Sequence, residues 1–255
     1  MMNGHKSVVL FYKYFVTCHI PDIFSKNSEF YVDRLEQFQK DLCEELGAKG
    51  RILLAIEGIN GTLSGKNEDV IEEYISRMKS FHLLRECGTP NGSPASDVEL
   101  ADEQNLLFRD VDWKKSKVEE NAIEPFPDLK ISVVKEIVST GGIVKVDEIP
   151  HRTGKHLSPK EFHHAMIESE KPVVLIDVRN TFEYDIGHFV NPKTGDAAMN
   201  PEMVTFSSFD SKFCAENAEY LRDKKVLMYC TGGVRCDKLS VLLKESGLDN
   251  FYGLG

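Results

Sequence analysis

The 255-residue chain lacks several features, and each absence narrows what it can be. No apolar run approaches the roughly 18 to 20 residues that span a bilayer, so no membrane helix is expected. The N-terminus, MMNGHKSVVLFYKYFV, lacks the basic region, apolar core and small-residue cleavage site of a secretory signal. It reads as a first strand. The six cysteines, at 18, 43, 87, 214, 230 and 236, form no CxxC pair and no zinc-type spacing. No metal site is therefore expected, and without an export signal the expectation is a reducing, cytoplasmic location without disulfides. Positive charge is also short. With 31 Lys and Arg against 41 Asp and Glu, the net charge is −10. That balance argues against non-specific nucleic-acid binding, including to DNA, because such binding is driven by phosphate neutralisation. It leaves room for a local basic groove. Lys114, Lys115 and Lys117, and further on Lys130, Lys135 and Lys145, read either as solvated faces or as such a groove. What is present, 41% hydrophobic residues, is enough for the core of one large domain or two ordinary ones.

Residues 8–15, VVLFYKYF, are β-branched and aromatic and read as a strand. Over 29–46, Tyr31, Leu35, Phe38, Leu42 and Leu46 recur at three- and four-residue spacing. That is one face of an amphipathic helix, ended by Gly47, with Cys43 packed beside it. RILLAIEG (51–58) reads as a second strand. Asn60-Gly61 reads as a hairpin turn, since both centre positions of the favoured turn need positive φ. GTLSG then reads as a short third strand, 67–79 as a second helix and LLFRDVDW (106–113) as a fourth strand. Strand, helix, strand, strand, helix, strand is the ferredoxin-like order. The turn-rich stretch 87–105 reads as a long, disordered loop. Residues 121–150, with Pro125, Pro127, Pro150 and a strand-like KISVVKEIV, read as an extended connector. A boundary near 145–157 gives a ferredoxin-like domain with connector over 1–150 and a second domain over 151–255.

In the second half, Ser158-Pro159 with Glu161 is an N-cap, a first-turn proline and a capping box, opening a helix of about ten residues. PVVLIDVR (172–179) reads as a buried strand, TFEYDIGH as a short helical turn, 190–210 as a loop and 211–222 as a helix leading into KKVLMYC. Nearly all-apolar strands alternating with helices indicate a parallel sheet covered on both faces. Sites in such sheets lie at the carboxyl ends of strands, where Asp177, Arg179 and Cys230 all fall. The chain is organised around Val226–Cys236, VLMYCTGGVRC. There a strand runs through a glycine turn into a helix stopped by Gly247. Amides at that helix N-terminus converge on one point and favour an anion. A cysteine there reads as a thiolate at neutral pH. The alternative is a small buried hydrophobe at a strand end. Against it, Gly232 and Gly233 carry an entropic penalty unless the backbone geometry requires them. Arg235 adds a fixed positive charge at the rim or a brace for the loop.

At Asp177-Val178-Arg179, Glu183, Gly187-His188 and Cys230 to Arg235 the chain resembles the rhodanese superfamily. Its Cys-x4-Arg loop makes a six-residue cradle, similar to sulfur-handling rhodaneses; phosphatase relatives have a wider Cys-x5-Arg cradle. AIEGINGTLSG (55–65), VVKEIVSTGG (133–142), HLSPKEFHHAM (156–166), LIDVRNTFEYDIGHF (175–189) and MYCTGGVRCDK (228–238) resemble the rhodanese-like tRNA uridine hydroxylase family, in that family's order. The resemblance implies an α+β ferredoxin-like domain followed by an α/β rhodanese-like domain. It implies conversion of the wobble uridine of certain tRNAs to 5-hydroxyuridine, with molecular oxygen as co-substrate and a required cysteine at Cys230; no metal or organic cofactor is established for that family, and none is evident here. The chain departs from the family at 87–105, which lengthens the first domain, and at 190–206, which is longer than expected. It also stops at NFYGLG, the last strand of a rhodanese domain without its closing helix, and so reads as C-terminally truncated.

The resemblance assigns roles. Cys230 is the catalytic thiolate, on an active-site loop of Thr231, Gly232, Gly233, Val234 and Arg235; in sulfur transfer it would carry a persulfide, while its step in the hydroxylation stays open between a sulfenic and a persulfide form. Asp177, Arg179, Glu183 and His188 form a supporting rim. Lys13, Glu57 and Asn60 face substrate or merely solvent, Asn60 and Gly61 being turn formers first. Cys236, Leu239 and Leu243 share one helix face, which makes Cys236 core. The implied partner is a tRNA anticodon arm held by the N-terminal sheet and the cradle rim, its target base splayed out. No membrane partner is expected, and the oligomeric state is open. Two other readings stand beside this one: a thiosulfate or persulfide sulfurtransferase, and a non-catalytic binding module.

Overall fold

The computed structural model describes residues 6–16, 20–119, 122–203 and 211–255. Cys18 and positions 204–206 of the long loop lie outside the described residues. The chain divides into two compact units, residues 1–137 and 138–255.

The first unit is a five-stranded sheet of β1 (Ser7–Tyr14), β2 (Lys49–Ala55), β3 (Gly58–Gly65), β4 (Lys114–Lys117) and β5 (Leu129–Val133), in the order β4-β1-β3-β2-β5. β1 pairs antiparallel with β3 and β4, and β2 antiparallel with β3. That is the ferredoxin-like arrangement, with β5 added parallel to β2. The helices Ser28–Leu46 and Glu68–Lys79 bury Tyr31, Leu35, Leu42, Ile71, Tyr74 and Met78 in one core with Val9, Phe11, Ile52, Leu54 and Leu63. Gly47 ends the first of them in the left-handed conformation, φ 65°. Cys43 is buried as packing.

Four sequence expectations change here. Asn60-Gly61 is not the hairpin turn. The strands are joined by Ile56-Glu57, with Ala55 paired to Gly58, and Asn60-Gly61 lies inside β3. Gly61 sits opposite Phe11, and a Cβ there would lie 2.4 Å from the Phe11 ring. The glycine makes room for an aromatic ring rather than for positive φ. Second, the fourth strand is KKSK rather than LLFRDVDW. Residues 106–113 turn instead, sinking Leu107, Phe108 and Val111 into the core, while Trp113 packs on Phe11 with ring centroids 4.9 Å apart. An edge strand pairs on one side only, so β4 needs no apolar alternation. Its lysines are solvated and paired: Lys117 with Glu68 at 3.2 Å, Lys115 with Glu72 and Lys114 with Asp112. Third, the strand-like part of the connector is not a free linker: as β5 it joins the first sheet. Fourth, 87–105 is ordered: Asp97–Ala101 is a helix with a Ser96/Glu99 capping box. Leu100 packs on the core, and the buried Asn105 amide donates to the Glu99 carbonyl at 2.9 Å.

The second unit is a parallel sheet, β6 (Lys155–Leu157), β7 (Val173–Asp177), β8 (Lys225–Tyr229) and β9 (Phe251–Leu254), in the order β6-β9-β8-β7. The helix Pro159–Glu168 opens with the expected Ser158/Glu161 capping box and N-terminal proline. Its Phe162 and Met166 pack with Leu157, Leu175 and Leu227. The helix Val234–Glu245 buries Leu239, Val241, Leu242 and Leu243. Among the described residues, no helix is long and apolar enough to cross a membrane.

Candidate active site

The site follows from how β7 and β8 end. They are paired in parallel register up to Asp177 opposite Tyr229, and the Val178 amide still donates to the Tyr229 carbonyl at 2.8 Å. The loops after them therefore leave the sheet side by side. One carries Arg179 and the short helix Thr181–Ile186; the other carries Cys230 through Arg235.

The second loop is a cradle for the Cys230 sulfur. Gly233 adopts φ 96° ahead of the helix Val234–Glu245, a conformation that favours glycine. Its amide donates to Cys230 Sγ at 3.0 Å. Cys230 itself is half-buried. The Cys236 hydrogen bond pulls its pKa down most, burial opposes, and the Arg235 cation and the loop amides add to the pull, leaving it at about 5. At neutral pH the sulfur is a thiolate.

Glu183 joins the two loops. Arg235 donates to its carboxylate at 2.8 and 3.3 Å and to the Thr231 hydroxyl at 2.9 Å. The same carboxylate accepts the Asn180 amide at 3.1 Å, at the start of its own helix. Burial pushes the Glu183 carboxyl up, but Arg235, Asn180 and Thr231 together hold it below its usual value. Arg235 thus braces the cradle while its charge faces the sulfur. Val234 is buried as the first residue of the helix.

Asp177 is fully buried and anchors the rim. It accepts from Arg179 Nε at 2.9 Å, from an Arg179 terminal nitrogen at 2.7 Å, from the Arg179 amide at 3.0 Å and from the Tyr229 hydroxyl at 2.8 Å. Arg179 also donates to the Gly187 carbonyl at 2.5 Å, tying the far end of the short helix to the strand. His188 is exposed; its ring stacks on Tyr184 at 4.0 Å, and its Nδ1 lies 3.1 Å from the Tyr184 carbonyl.

The first-unit candidates are engaged elsewhere. The Glu57 carboxylate accepts the Ile137 amide at 2.6 Å, and the Asn60 side-chain amide reaches the Ile137 carbonyl at 3.4 Å. Lys13 pairs with Asp110. Glu57 and Asn60 thus meet at Ile137.

Sequence reasoning missed Tyr229. Tyr229 reads as one more apolar strand position, yet its hydroxyl donates to Asp177 and accepts the Phe189 amide at 2.9 Å, with Phe189 stacked on its ring at 4.1 Å. Cys236 is buried, as its helix face indicated. Among the described residues no cluster of three or more His, Cys, Asp or Glu side chains is placed to hold a metal ion.

A family model described as the UPF0176 acylphosphatase like domain matches residues 6–137, and a rhodanese-like domain model matches 158–254. The tRNA uridine(34) hydroxylase of Aster yellows witches'-broom phytoplasma is 36% identical over 252 residues, 99% of this chain and 66% of the relative. That of Bacillus licheniformis is 33% identical over 253 residues, 98% of this chain and 62% of the relative. That of Legionella pneumophila is 36% identical over 211 residues, 82% and 67% of the two chains. The chain spans 66% and 62% of the first two of these relatives. With both family models matched in order around the Cys230 cradle, the chain belongs to the rhodanese-like tRNA uridine hydroxylase family.

Proposed function

We propose that this chain carries the hydroxylation of uridine 34 in tRNA, forming 5-hydroxyuridine with molecular oxygen as co-substrate and Cys230 as the reactive thiolate. The observation that carries the reading is the cradle. A half-buried sulfur held as a thiolate by amides, a thiol and an arginine is a nucleophile presented at the surface of a sheet. The names of the relatives supply the substrate class, and a tRNA substrate supports a cytoplasmic place of work. In this reading Thr231 through Arg235 hold the sulfur. Glu183 fixes Arg235, and Asp177 with Arg179 fixes the neighbouring loop. His188 belongs to the outer rim. Lys13, Glu57 and Asn60 support the sheet of the first unit. The target base would reach the sulfur only when unstacked, so the anticodon loop is the natural partner.

The six-residue loop and the rhodanese-like match also favour a second reading, transfer of sulfur through a Cys230 persulfide. The intact cradle weighs against a purely binding role. The experiment is expression of the chain in a strain lacking tRNA uridine hydroxylation, followed by mass spectrometry of tRNA nucleosides. The proposal expects 5-hydroxyuridine to appear. Its absence, together with cyanolysis of added thiosulfate by the purified chain, would give the site to sulfur transfer instead.

A further inference from the structure

We propose that the short helix Thr181–Ile186 is a platform for unpaired bases of the substrate tRNA. The exposed ring of Phe182 takes a base flanking uridine 34 by stacking, and Ile186 extends the same apolar stripe. The inference rests on the reading of this chain as a tRNA uridine hydroxylase and names the surface that holds the RNA beside the sulfur.

Phe182 is 61% exposed and Ile186 87% exposed. Four residues apart on one helix, they share one stripe. Packing within the fold does not account for them. Tyr184 turns the other way: its hydroxyl donates to the Ala198 carbonyl at 2.9 Å, and its side chain packs against the core of this unit. The helix is tied down at both ends. Glu183, the next residue after Phe182, accepts from Arg235 at 2.8 Å and from the Thr231 hydroxyl at 3.3 Å. Arg179 donates to the Gly187 carbonyl, just past Ile186, at 2.5 Å. The stripe is therefore fixed to the cradle and continuous with it, because Phe182 adjoins the carboxylate that braces the Cys230 loop. An apolar pair left in water on a rigid element marks an interaction surface. The chemistry of its occupant follows from the substrate. A uridine that reaches Cys230 leaves its stack. Its neighbour in the loop then loses a stacking partner, and an exposed aromatic ring replaces that partner. Such stacking accepts any base, since every base has a π-face. The bases of double-stranded RNA keep those faces covered and offer no such contact. A second copy of this chain is the other occupant such a stripe could take, but it would crowd the same rim.

The test is binding of an RNA hairpin with the sequence of a tRNA anticodon arm, uridine 34 included, followed by fluorescence anisotropy. Three chains are compared: the unaltered chain, Phe182→Ala and Phe182→Tyr, both changes lying at an exposed position. Each meets two hairpins, one complete and one in which both nucleotides flanking uridine 34 are abasic. Phe182→Ala is expected to raise the Kd for the complete hairpin by about fivefold or more, the lower end of the usual effect of losing one base–aromatic stack. Phe182→Tyr keeps the ring and is expected to stay close to the unaltered chain. Removing the flanking bases is expected to weaken the unaltered chain by a similar factor and Phe182→Ala little further. That non-additivity marks direct contact, and a merely structural role of Phe182 would not produce it. Equal affinity of Phe182→Ala and the unaltered chain for the complete hairpin would overturn the inference, and so would additive losses. A dimer that becomes a monomer on Phe182→Ala in sedimentation, with hairpin affinity unchanged, would give the stripe to a second copy instead. Failure of the unaltered chain to bind the hairpin would refute the tRNA reading and the inference with it. Binding that is indifferent to Phe182 would refute only the platform.

Discussion

Asp177→Asn is the perturbation whose cost follows most directly from the geometry. Asp177 is 0% exposed and accepts three side-chain hydrogen bonds from Arg179, one from the Arg179 amide and one from the Tyr229 hydroxyl. Breaking a buried ion pair by removing one partner costs roughly 3–5 kcal/mol, because the remaining charge is left buried. Arg179 is 21% exposed at its side chain, so part of its charge would rehydrate. Asparagine also keeps one acceptor for Tyr229. Both effects place the cost at the low end, about 3 kcal/mol. Arg179→Met should cost about 2 kcal/mol, since Tyr229 and a backbone amide still solvate the carboxylate. The double variant should then cost about 2 kcal/mol less than the sum, as residues in direct contact do not add. The assay is urea unfolding followed by hydrogen exchange in peptides from β7 and β8, which report this unit. Additive losses, or a cost below 1 kcal/mol for Asp177→Asn, would refute the claim that the pair holds the rim.

The other predictions are independent of that pair. Gly61→Ala should destabilise the first unit by about 2 kcal/mol, the usual cost of overpacking, because its Cβ would meet the Phe11 ring at 2.4 Å. The single tryptophan, Trp113, packs on that ring, so its fluorescence melt should shift down. Ser158→Ala removes the cap accepted from Glu161 and should cost about 1 kcal/mol, seen as faster exchange in the first turn of Pro159–Glu168. Cys230 ionises at about 5 when folded, below its unfolded value, so the native state binds fewer protons between those pH values. Its contribution to stability is therefore full above about 8.5 and is lost as pH falls toward 5. Cys230→Ala should flatten that part of the stability profile, measured by unfolding at a series of pH values.

Much of the site was legible because the cradle depends on short-range backbone chemistry. A strand, two glycines and a helix start are local, and so is the Ser158/Glu161 box; both stand where the sequence placed them. The misreadings come from tertiary context. Asn60-Gly61 has the composition of a turn, but the ring of Phe11, fifty residues away, decides its place. KKSK has no strand pattern because an edge strand needs none, and LLFRDVDW has the composition of a strand but is used to fill a core. Helix periodicity correctly marks Cys236 as buried. Glu57 and Asn60 stand out as polar residues in apolar strands, and the reason is equally non-local: both bind the backbone of Ile137.

The central claim is that Cys230 enables oxygen to be added to tRNA uridine. It is tested most directly by growing hydroxylase-deficient cells expressing this chain under 18O-labelled oxygen and weighing the nucleosides of their tRNA. The account predicts 5-hydroxyuridine two mass units heavier with the unaltered chain and none with Cys230→Ala. Undiminished labelled product with Cys230→Ala would contradict it.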